Sequence, residues 1–451
     1  MTINSTDKAV YKSLVHIVMP IALQNLMSSL VTASDAFMLG FLDQDSLAAS
    51  SLAGQVAFVF SLFFGAFVFG LNVLAAQYWG KGDVDAVKKV LSIAMRYSLI
   101  SGLIFTLGTL FFPSQIMRFF TSDQILIEKG ALYLRAVSLS YVLSGFTQVY
   151  FGIMKICDRA KLSSLIGSLA VIVNIFCNAV LIFGFFGFPA LGITGAAIAT
   201  VIARLFEFVF VLIVILQKKC PALKISYIFH VNDKSMHKDY WKYTVPLLIN
   251  QIAWGGGITM YSVIMGHLGS DATAANSIAS IVRSIIASLC WGLSSGVGII
   301  VGGIFGRGEI DEAKKMGGKF VRLSILIGIA SGLVIMALIP LVLKVVHLTE
   351  QSQFYLKSML FMACYYIIGN SLNSTIISGI FPAGGDTRFG MFCDCITLWC
   401  VVVPLGFLSA FVFKWPVLVT AFILTLDEFV KIPAVYLHYK KYKWLKNITR
   451  E

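Results

Sequence analysis

The sequence predicts an all-α polytopic membrane protein with twelve transmembrane helices in two pseudo-symmetric six-helix bundles. Three observations support this prediction. The chain has 451 residues, of which 58% are hydrophobic and 13% charged, and its mean hydropathy of +0.85 far exceeds that of a soluble domain. Its apolar residues form runs of about 20 or more, the length that a helix needs to cross a bilayer. The first half of the sequence is also repeated in the second half.

The predicted helices follow in order from apolar runs that are broken by Gly, Pro or clusters of charge. Residues 1–217 form the first bundle, 218–238 a cytoplasmic connecting loop and 239–451 the second bundle. The twelve predicted spans are 11–39, 47–78, 86–111, 125–156, 162–184, 191–217, 239–266, 272–305, 312–345, 351–382, 388–412 and 416–439.

Charge alternates between the two sides of these helices. Lys and Arg follow predicted helices 2, 4, 6, 8 and 10 and fill the C-terminal tail, whereas the loops around Asp43 and Asp271 and the loop 184–189 are poor in them. Basic loops stay in the cytoplasm. We therefore expect a multi-pass protein of the plasma (inner) membrane with both termini cytoplasmic. The net charge of +13 reflects this bias and not a nucleic-acid surface.

The internal repeat holds at a constant offset. Pro20 and Pro246, Gly40 and Gly266, and G-K-G-D-V-D-A-V-K-K and G-R-G-E-I-D-E-A-K-K are each separated by 226 positions. Six helices per half leave both halves in the same orientation, which makes this a parallel repeat about an axis along the membrane normal. Two such bundles enclose a central cavity, and transport by alternating access is its natural use.

Predicted helix 1 carries a proline, Pro20, and an acid, Asp35. An ionisable group inside a membrane helix costs about 2.5 to 3.5 kcal/mol and usually serves a function. Steps of three and four residues place a polar stripe on the face of Asp35, consisting of Gln24, Ser28 and Thr32. Asp35 is either a coupling group or an interfacial cap close to Gly40. Because the repeat has Tyr261 in its place, the shared packing does not require the acid.

Further polar groups lie inside apolar helices. Asn174 and Asn178 share one face of predicted helix 5, where they either join two helices or orient Asp35. The second half has its own buried charges, which form mutual ion pairs or take part in coupling: Arg283, Asp394, Asp427, Glu428 and Lys431. Trp254 and Tyr261 on predicted helix 7 are candidates for a substrate cavity, together with the stripe of Gln24, Ser28 and Thr32 on predicted helix 1.

Several function classes lack their motifs. The eight Cys show no CxxC pair and no Cys/His metal spacing, and no G-x-x-x-x-G-K-[ST] loop is present for ATP. No His/Glu zinc pair or Ser/Lys dyad stands out either. We therefore expect neither an enzyme nor a metal or organic cofactor, only a coupling H⁺ or Na⁺. The expected partners are small organic substrates and the bilayer, with the chain acting as a monomer.

Motifs along nearly the whole chain resemble those of the multidrug and toxic compound extrusion (MATE) family. They include M-P-I-A-L-Q-N…S-D-A-F-M-L-G, A-A-Q-Y-W-G-K-G-D, V-N-I-F-C-N-A-V and G-I-F-P-A-G-G-D-T-R. The resemblance implies the MATE/MOP fold and an antiporter that exports organic, often cationic and aromatic compounds against protons or sodium. An alternative within the same superfamily is an exporter of a lipid-linked or peptide-like metabolite.

The resemblance also implies site residues. In the DinF-like branch an aspartate of helix 1 couples transport near a helix that bends at a proline, and Asp35 and Pro20 are similar in place. Asn174 matches the asparagine of that network and Tyr133 its tyrosine. Two departures stand out: Asn178 replaces a second aspartate, and Trp254 and Ser371 stand where the NorM-like branch has acids.

Overall fold

The computed structural model describes residues 5–217, 233–346 and 348–450, and all regular secondary structure in these ranges is helical. The helices of the first half are α1 (Ser5–Leu42), α2 (Gln44–Lys81), α3 (Val84–Phe111), α4 (Pro113–Phe120), α5 (Gln124–Val137), α6 (Leu139–Ile156), α7 (Ala160–Phe183) and α8 (Gly192–Leu216). Those of the second half are α9 (Lys234–Gly266), α10 (Ser270–Gly306), α11 (Ile310–Val345), α12 (Glu350–Ala383), α13 (Thr387–Val412), α14 (Val417–Leu424) and α15 (Asp427–Lys440).

All twelve predicted spans fall on helices, which confirms the all-α polytopic class. Within the described residues, nine helices are long and apolar enough to cross a membrane, or ten if α5 and α6 form one span with a 48° bend. The number twelve therefore stays a prediction. The short helix α4 was not predicted. It begins with Pro113, and proline suits the first turn of a helix because a backbone N–H at that position would have no acceptor within the helix.

The backbone repeats as the sequence does. Gly82 follows α2 with φ +83° and Gly308 follows α10 with φ +80°, a left-handed conformation that favours glycine. Asp83 then caps α3 by accepting a hydrogen bond from the backbone N–H of Ala86. The two halves thus share a turn conformation at equivalent positions as well as a motif.

The chain divides into two compact units. The N-terminal unit consists of Leu23–Ala75 and Gly82–Trp241, and the C-terminal unit of the residues up to Ala22, Ala76–Lys81 and Lys242–Glu451. This division differs from the predicted one, because the start of α1 and the last turns of α2 belong to the C-terminal unit.

Close helix contacts in the C-terminal unit explain this assignment. A Cβ atom added at Gly292 of α10 would lie 2.9 Å from the Cα atom of Ala22, and one at Gly306 would lie 1.9 Å from the carbonyl oxygen of Gln77. Glycine lets α1 and α2 approach α10 this closely. The segment after α15 packs in the same unit, where Trp444 is fully buried and the Ile448 N–H donates to Gln77 Oε1 at 2.8 Å.

Two helices of the C-terminal unit contain π-helical turns. Ser374–Ile380 in α12 precedes Pro382, and Ile396–Val402 in α13 precedes Pro404. Proline lacks an N–H and its ring clashes with the preceding turn, and a π-helical turn is one way for a helix to continue past it. These turns follow directly after the polar residues of α12 and α13 described below.

Candidate functional site

Helices α1 and α7 of the N-terminal unit are joined at Asp35. Asn178 Nδ2 donates to Asp35 Oδ1 at 2.5 Å and to Asn174 Oδ1 at 3.2 Å. The two asparagines are buried, because their spacing of four residues turns both toward the same neighbour, whereas Asp35 is partly exposed. The predicted contact between the asparagines and the acid is present, and it forms a chain of three polar side chains.

An ion pair lies near this chain. Arg204 Nη1 of α8 donates to both carboxylate oxygens of Glu207, at 3.0 and 2.9 Å, and Arg204 is within electrostatic range of Asp35. Thr147 of α6 donates to Glu207 at 3.4 Å. Arg204 and Glu207 thus form an i, i+3 ion pair on one face of α8. Because Arg204 is paired with Glu207, Asp35 has no ion pair of its own in the described part of the chain.

Tyr133 of α5 completes the set of predicted coupling residues. Its side chain lies near Thr200 of α8 and within electrostatic range of Asp35. Helices α1, α5 and α7 thus bring Asp35, Asn174, Asn178 and Tyr133 into one region of the N-terminal unit. This region is called the Asp35 site below.

The residues of the predicted polar stripe on α1 lie in different environments. Gln24 is 8% exposed and packs on α7, where a Cβ atom at Gly167 would be 3.0 Å from its Nε2 atom. Ser28 is exposed, and its hydroxyl donates to the backbone oxygen of Gln24 at 2.9 Å. The side chain of Thr32 lies outside the described part. Gln24 and Ser28 therefore do not share one environment, because the helix surface that they occupy is only partly covered by α7.

Pro20 lies within α1, which is helical on both sides of it. Its missing N–H removes one backbone hydrogen bond from the helix. Two residues later, after Ala22, α1 passes from the C-terminal to the N-terminal unit. The predicted bend at Pro20 stays a prediction.

The candidate cavity residues of α9 belong to the C-terminal unit. Trp254 meets Trp291 edge to face with ring centroids 6.1 Å apart. Tyr261 packs beside the apolar cluster that contains Ile264 and Leu424, and its hydroxyl has no hydrogen-bond partner among the described residues. Both side chains are partly exposed. Their role in binding a substrate stays a prediction.

The charges of the second half form a buried group around Lys431. Its Nζ atom lies 3.0 Å from Asp394, 3.4 Å from Glu428 and 3.7 Å from Asp427, which confirms the predicted mutual ion pairs for these four residues. Arg283 differs from them, because its guanidinium lies over the ring of Tyr366 at 5.0 Å.

Sequence reasoning missed the amides that surround this group. Asn250 of α9 donates to Asp394 at 2.7 Å, and Asn370 and Asn373 of α12 donate to Glu428 at 3.0 and 2.8 Å. The available signal was an asparagine within an apolar run, as at Asn174. Ser371 donates to a backbone oxygen of α11 at 2.7 Å.

Comparisons with known proteins agree with this architecture. The MatE family model matches residues 20–180 and 246–408, two ranges whose first residues are separated by the repeat offset of 226. The chain is 25% identical over 427 residues to the probable multidrug resistance protein YoeA of Bacillus subtilis (strain 168), covering 93% of this chain and 91% of that protein. It is 23% identical over 447 residues to the probable multidrug resistance protein NorM of Thermotoga maritima, covering 98% and 95%.

Solved structures show the same fold. The Vibrio cholerae MATE transporter VcmN superposes with a TM-score of 0.88 at 15% identity, over 97% of this chain and 99% of that one. A MOP superfamily transporter from Pyrococcus furiosus gives 0.86 at 16% identity, over 95% of each chain.

Proposed function

Because the chain belongs to the MatE family of multi-pass membrane transporters, we propose that it is a secondary antiporter that exports organic, often cationic and aromatic compounds by alternating access. One observation carries the proposal: the Asp35 carboxylate accepts a hydrogen bond from a neutral amide, and its charge is unmatched by an ion pair in the described residues. The relatives named above are described as probable multidrug resistance proteins, so the lipid-linked or peptide-like alternative gains no support.

The chemistry of this site follows from the charge on one carboxyl group. As an anion, Asp35 accepts the Asn178 N–H and attracts a cationic substrate. A proton that arrives from outside removes this charge and weakens both interactions, because hydrogen bonds to ionised groups are about twice as strong as neutral ones. We propose that α1 then rearranges around Pro20 and releases the substrate. Loss of the proton to the cytoplasm restores the anion.

The coupling ion is proposed to be H⁺. A sodium ion needs several oxygen ligands, whereas a proton needs a single carboxylate oxygen. The Asp35 site has one carboxylate, and Asn174 Oδ1 already accepts a hydrogen bond from Asn178. Sodium is the outcome that the experiment below distinguishes. The proposal also assigns the chain to the DinF-like branch and to the plasma membrane. Both termini are proposed to be cytoplasmic, because the basic loops indicate this orientation.

The test is export from vesicles under imposed gradients. Proteoliposomes that contain the purified chain are loaded with ethidium, a cationic aromatic probe, and a pH gradient or a sodium gradient is imposed separately. We expect the pH gradient to drive transport and Asp35→Asn to abolish it. Asp43→Asn is the matched control, since Asp43 lies just after α1 and pairs with Lys129 at 2.6 Å; this variant should transport normally. Undiminished pH-driven export by Asp35→Asn would refute the proposal, and export driven by sodium alone would assign the other ion.

A further inference from the structure

A second group of acids is buried in the C-terminal unit, apart from the Asp35 site. Asp394 lies on α13, and Asp427, Glu428 and Lys431 lie on α15. These side chains are 7%, 3%, 4% and 3% exposed. Three carboxyl groups thus surround a single ammonium group in the interior of a membrane protein, where each uncompensated charge is costly.

Hydrogen bonds distinguish the three acids. Both oxygens of Glu428 accept amide N–H groups, from Asn370 and Asn373. Asp394 accepts from Lys431 through one oxygen and from Asn250 through the other. Glu428 and Asp394 are therefore well satisfied as anions.

Asp427 lacks such donors. Its Oδ2 atom lies 3.7 Å from Lys431, and its Oδ1 atom is buried with no hydrogen-bond partner in the described part of the chain. Three other oxygens near the cluster lack a donor in the same sense, namely Asn370 Oδ1, Asn373 Oδ1 and the Tyr261 hydroxyl. A buried carboxylate oxygen without any donor is the most costly of these, because it carries charge. A bound hydrogen would remove that cost.

The charge balance of the cluster also points to Asp427. Among the described residues, the charged groups with the largest effect on Asp427 are Glu428 and Lys431 on its own helix, Arg283 on α10 and Asp394 on α13. With all of them ionised, three negative charges oppose two positive ones and one negative charge remains. The other titratable groups in range, Tyr261 on α9 and Tyr365 and Tyr366 on α12, supply no positive charge.

The position of Lys431 decides which cation the cluster takes. Its ammonium group lies among the three carboxylates at 3.0 to 3.7 Å, where a metal ion would have to bind. We propose that Asp427 binds a proton, so that the C-terminal unit has a proton site of its own, and that this proton is exchanged during transport. The exchange rests on the proposed antiport, whereas the site itself does not.

The proposed step is a simple proton transfer. The Oδ1–H bond of Asp427 breaks, the proton passes to water, and the electron pair stays on the carboxylate. Lys431 lies four residues further along α15, on the same face, so its ammonium group can move from Asp394 toward the new anion. Asn250 and Arg283 are partly exposed next to the cluster, and the proposed path of the proton leads out on this side.

Infrared spectroscopy tests the site without any transport. The full chain is purified in the Asp35→Asn background, and the carbonyl stretch of protonated carboxylic acids is recorded in D₂O at neutral pH. We expect a band that Asp427→Asn removes. Asp394→Asn should also abolish it, although Asp427 is still present, because the cluster is then neutral without the proton. Asp386→Asn, which removes an acid paired with His438 in the same unit, should leave the band unchanged.

Lys431→Met provides a second test in the opposite direction. Loss of the ammonium group raises the net negative charge of the cluster from one to two. Two protons are then needed to neutralise it, so the intensity of the infrared band should grow about twofold. A band that Asp427→Asn does not remove, or one that Asp394→Asn leaves unchanged, would overturn the site.

Exchange is tested by counting protons. In proteoliposomes with a pH-sensitive dye inside, we expect Asp427→Asn to lower the number of protons exchanged per ethidium by one. An unchanged ratio would overturn exchange at Asp427. Absence of export from the unsubstituted chain would refute the antiport, while the infrared result would still decide the site.

Discussion

Asn178→Ala is the most informative change to the Asp35 site, because the Asn178 amide donates a hydrogen bond to its carboxylate. Asn178 is fully buried and donates to Asp35 Oδ1 at 2.5 Å. Alanine removes this donor while Asp35 itself stays in place. The anion then loses a stabilising bond that the protonated acid uses less, so Asp35 should keep its proton to a higher pH.

The size of the effect follows from the kind of bond. A hydrogen bond to a charged group contributes about 1.5 to 3 kcal/mol. Since about 1.4 kcal/mol corresponds to a tenfold change in a proton equilibrium, the loss amounts to about one to two pH units. We therefore expect the pH at which ethidium export is half-maximal to rise by about one to two units in Asn178→Ala.

The assay is ethidium export from proteoliposomes over a range of internal and external pH at a constant gradient. Asn174→Ala is the control, because Asn174 accepts a hydrogen bond from Asn178 but makes none with Asp35 in the described residues. Its profile should move by less than about half a unit. Equal shifts in the two variants, or no shift in a correctly folded Asn178→Ala, would refute the reasoning.

Two further predictions concern stability. Gly306→Ala places a methyl group 1.9 Å from the carbonyl oxygen of Gln77 and should cost about 1 to 3 kcal/mol, seen as a lower Tm in detergent; Gly303→Ala, where nothing lies within 4 Å, is the control and should leave Tm the same or slightly higher, because alanine favours the helix. In the loop between α1 and α2, the hydrogen bond from Lys129 lowers the pKa of Asp43 to about 2. The stabilisation that the Asp43–Lys129 pair gives to the folded state is therefore complete above the usual pKa of an aspartate and is lost as the pH falls toward 2. The pair is partly exposed, so this loss is below about 1 kcal/mol. Lys129→Met should flatten the dependence of Tm on pH in that range, and an unaltered dependence would contradict the assignment.

Two residue pairs in and beside the Asp35 site could be predicted because the members of each pair are close in sequence. Asn174 and Asn178 share a helix face by their spacing, and so do Arg204 and Glu207. The position of the ion pair beside Asp35 was not predictable, because it depends on how α8 is rotated against α1 and α7.

The cluster around Lys431 shows the same limit. Its four charged residues were identified from the sequence, and their pairing was confirmed. The difference between Glu428, with two amide donors, and Asp427, with an oxygen that has none, comes from Asn370 and Asn373 on α12. Neighbouring acids in the chain thus have different environments because adjacent helical residues point about 100° apart.

The sequence by itself determined the all-helical class, the apolar ranges that fall on helices and the repeat. It could do so because a membrane interior requires apolar runs of a fixed length whose backbone hydrogen bonds are satisfied internally. Only the tertiary structure decided that α1 up to Ala22 and the end of α2 pack with the C-terminal unit, and which carboxyl oxygens have donors. These features depend on close contacts such as the one at Gly306, between residues that are distant along the chain and that local patterns do not specify.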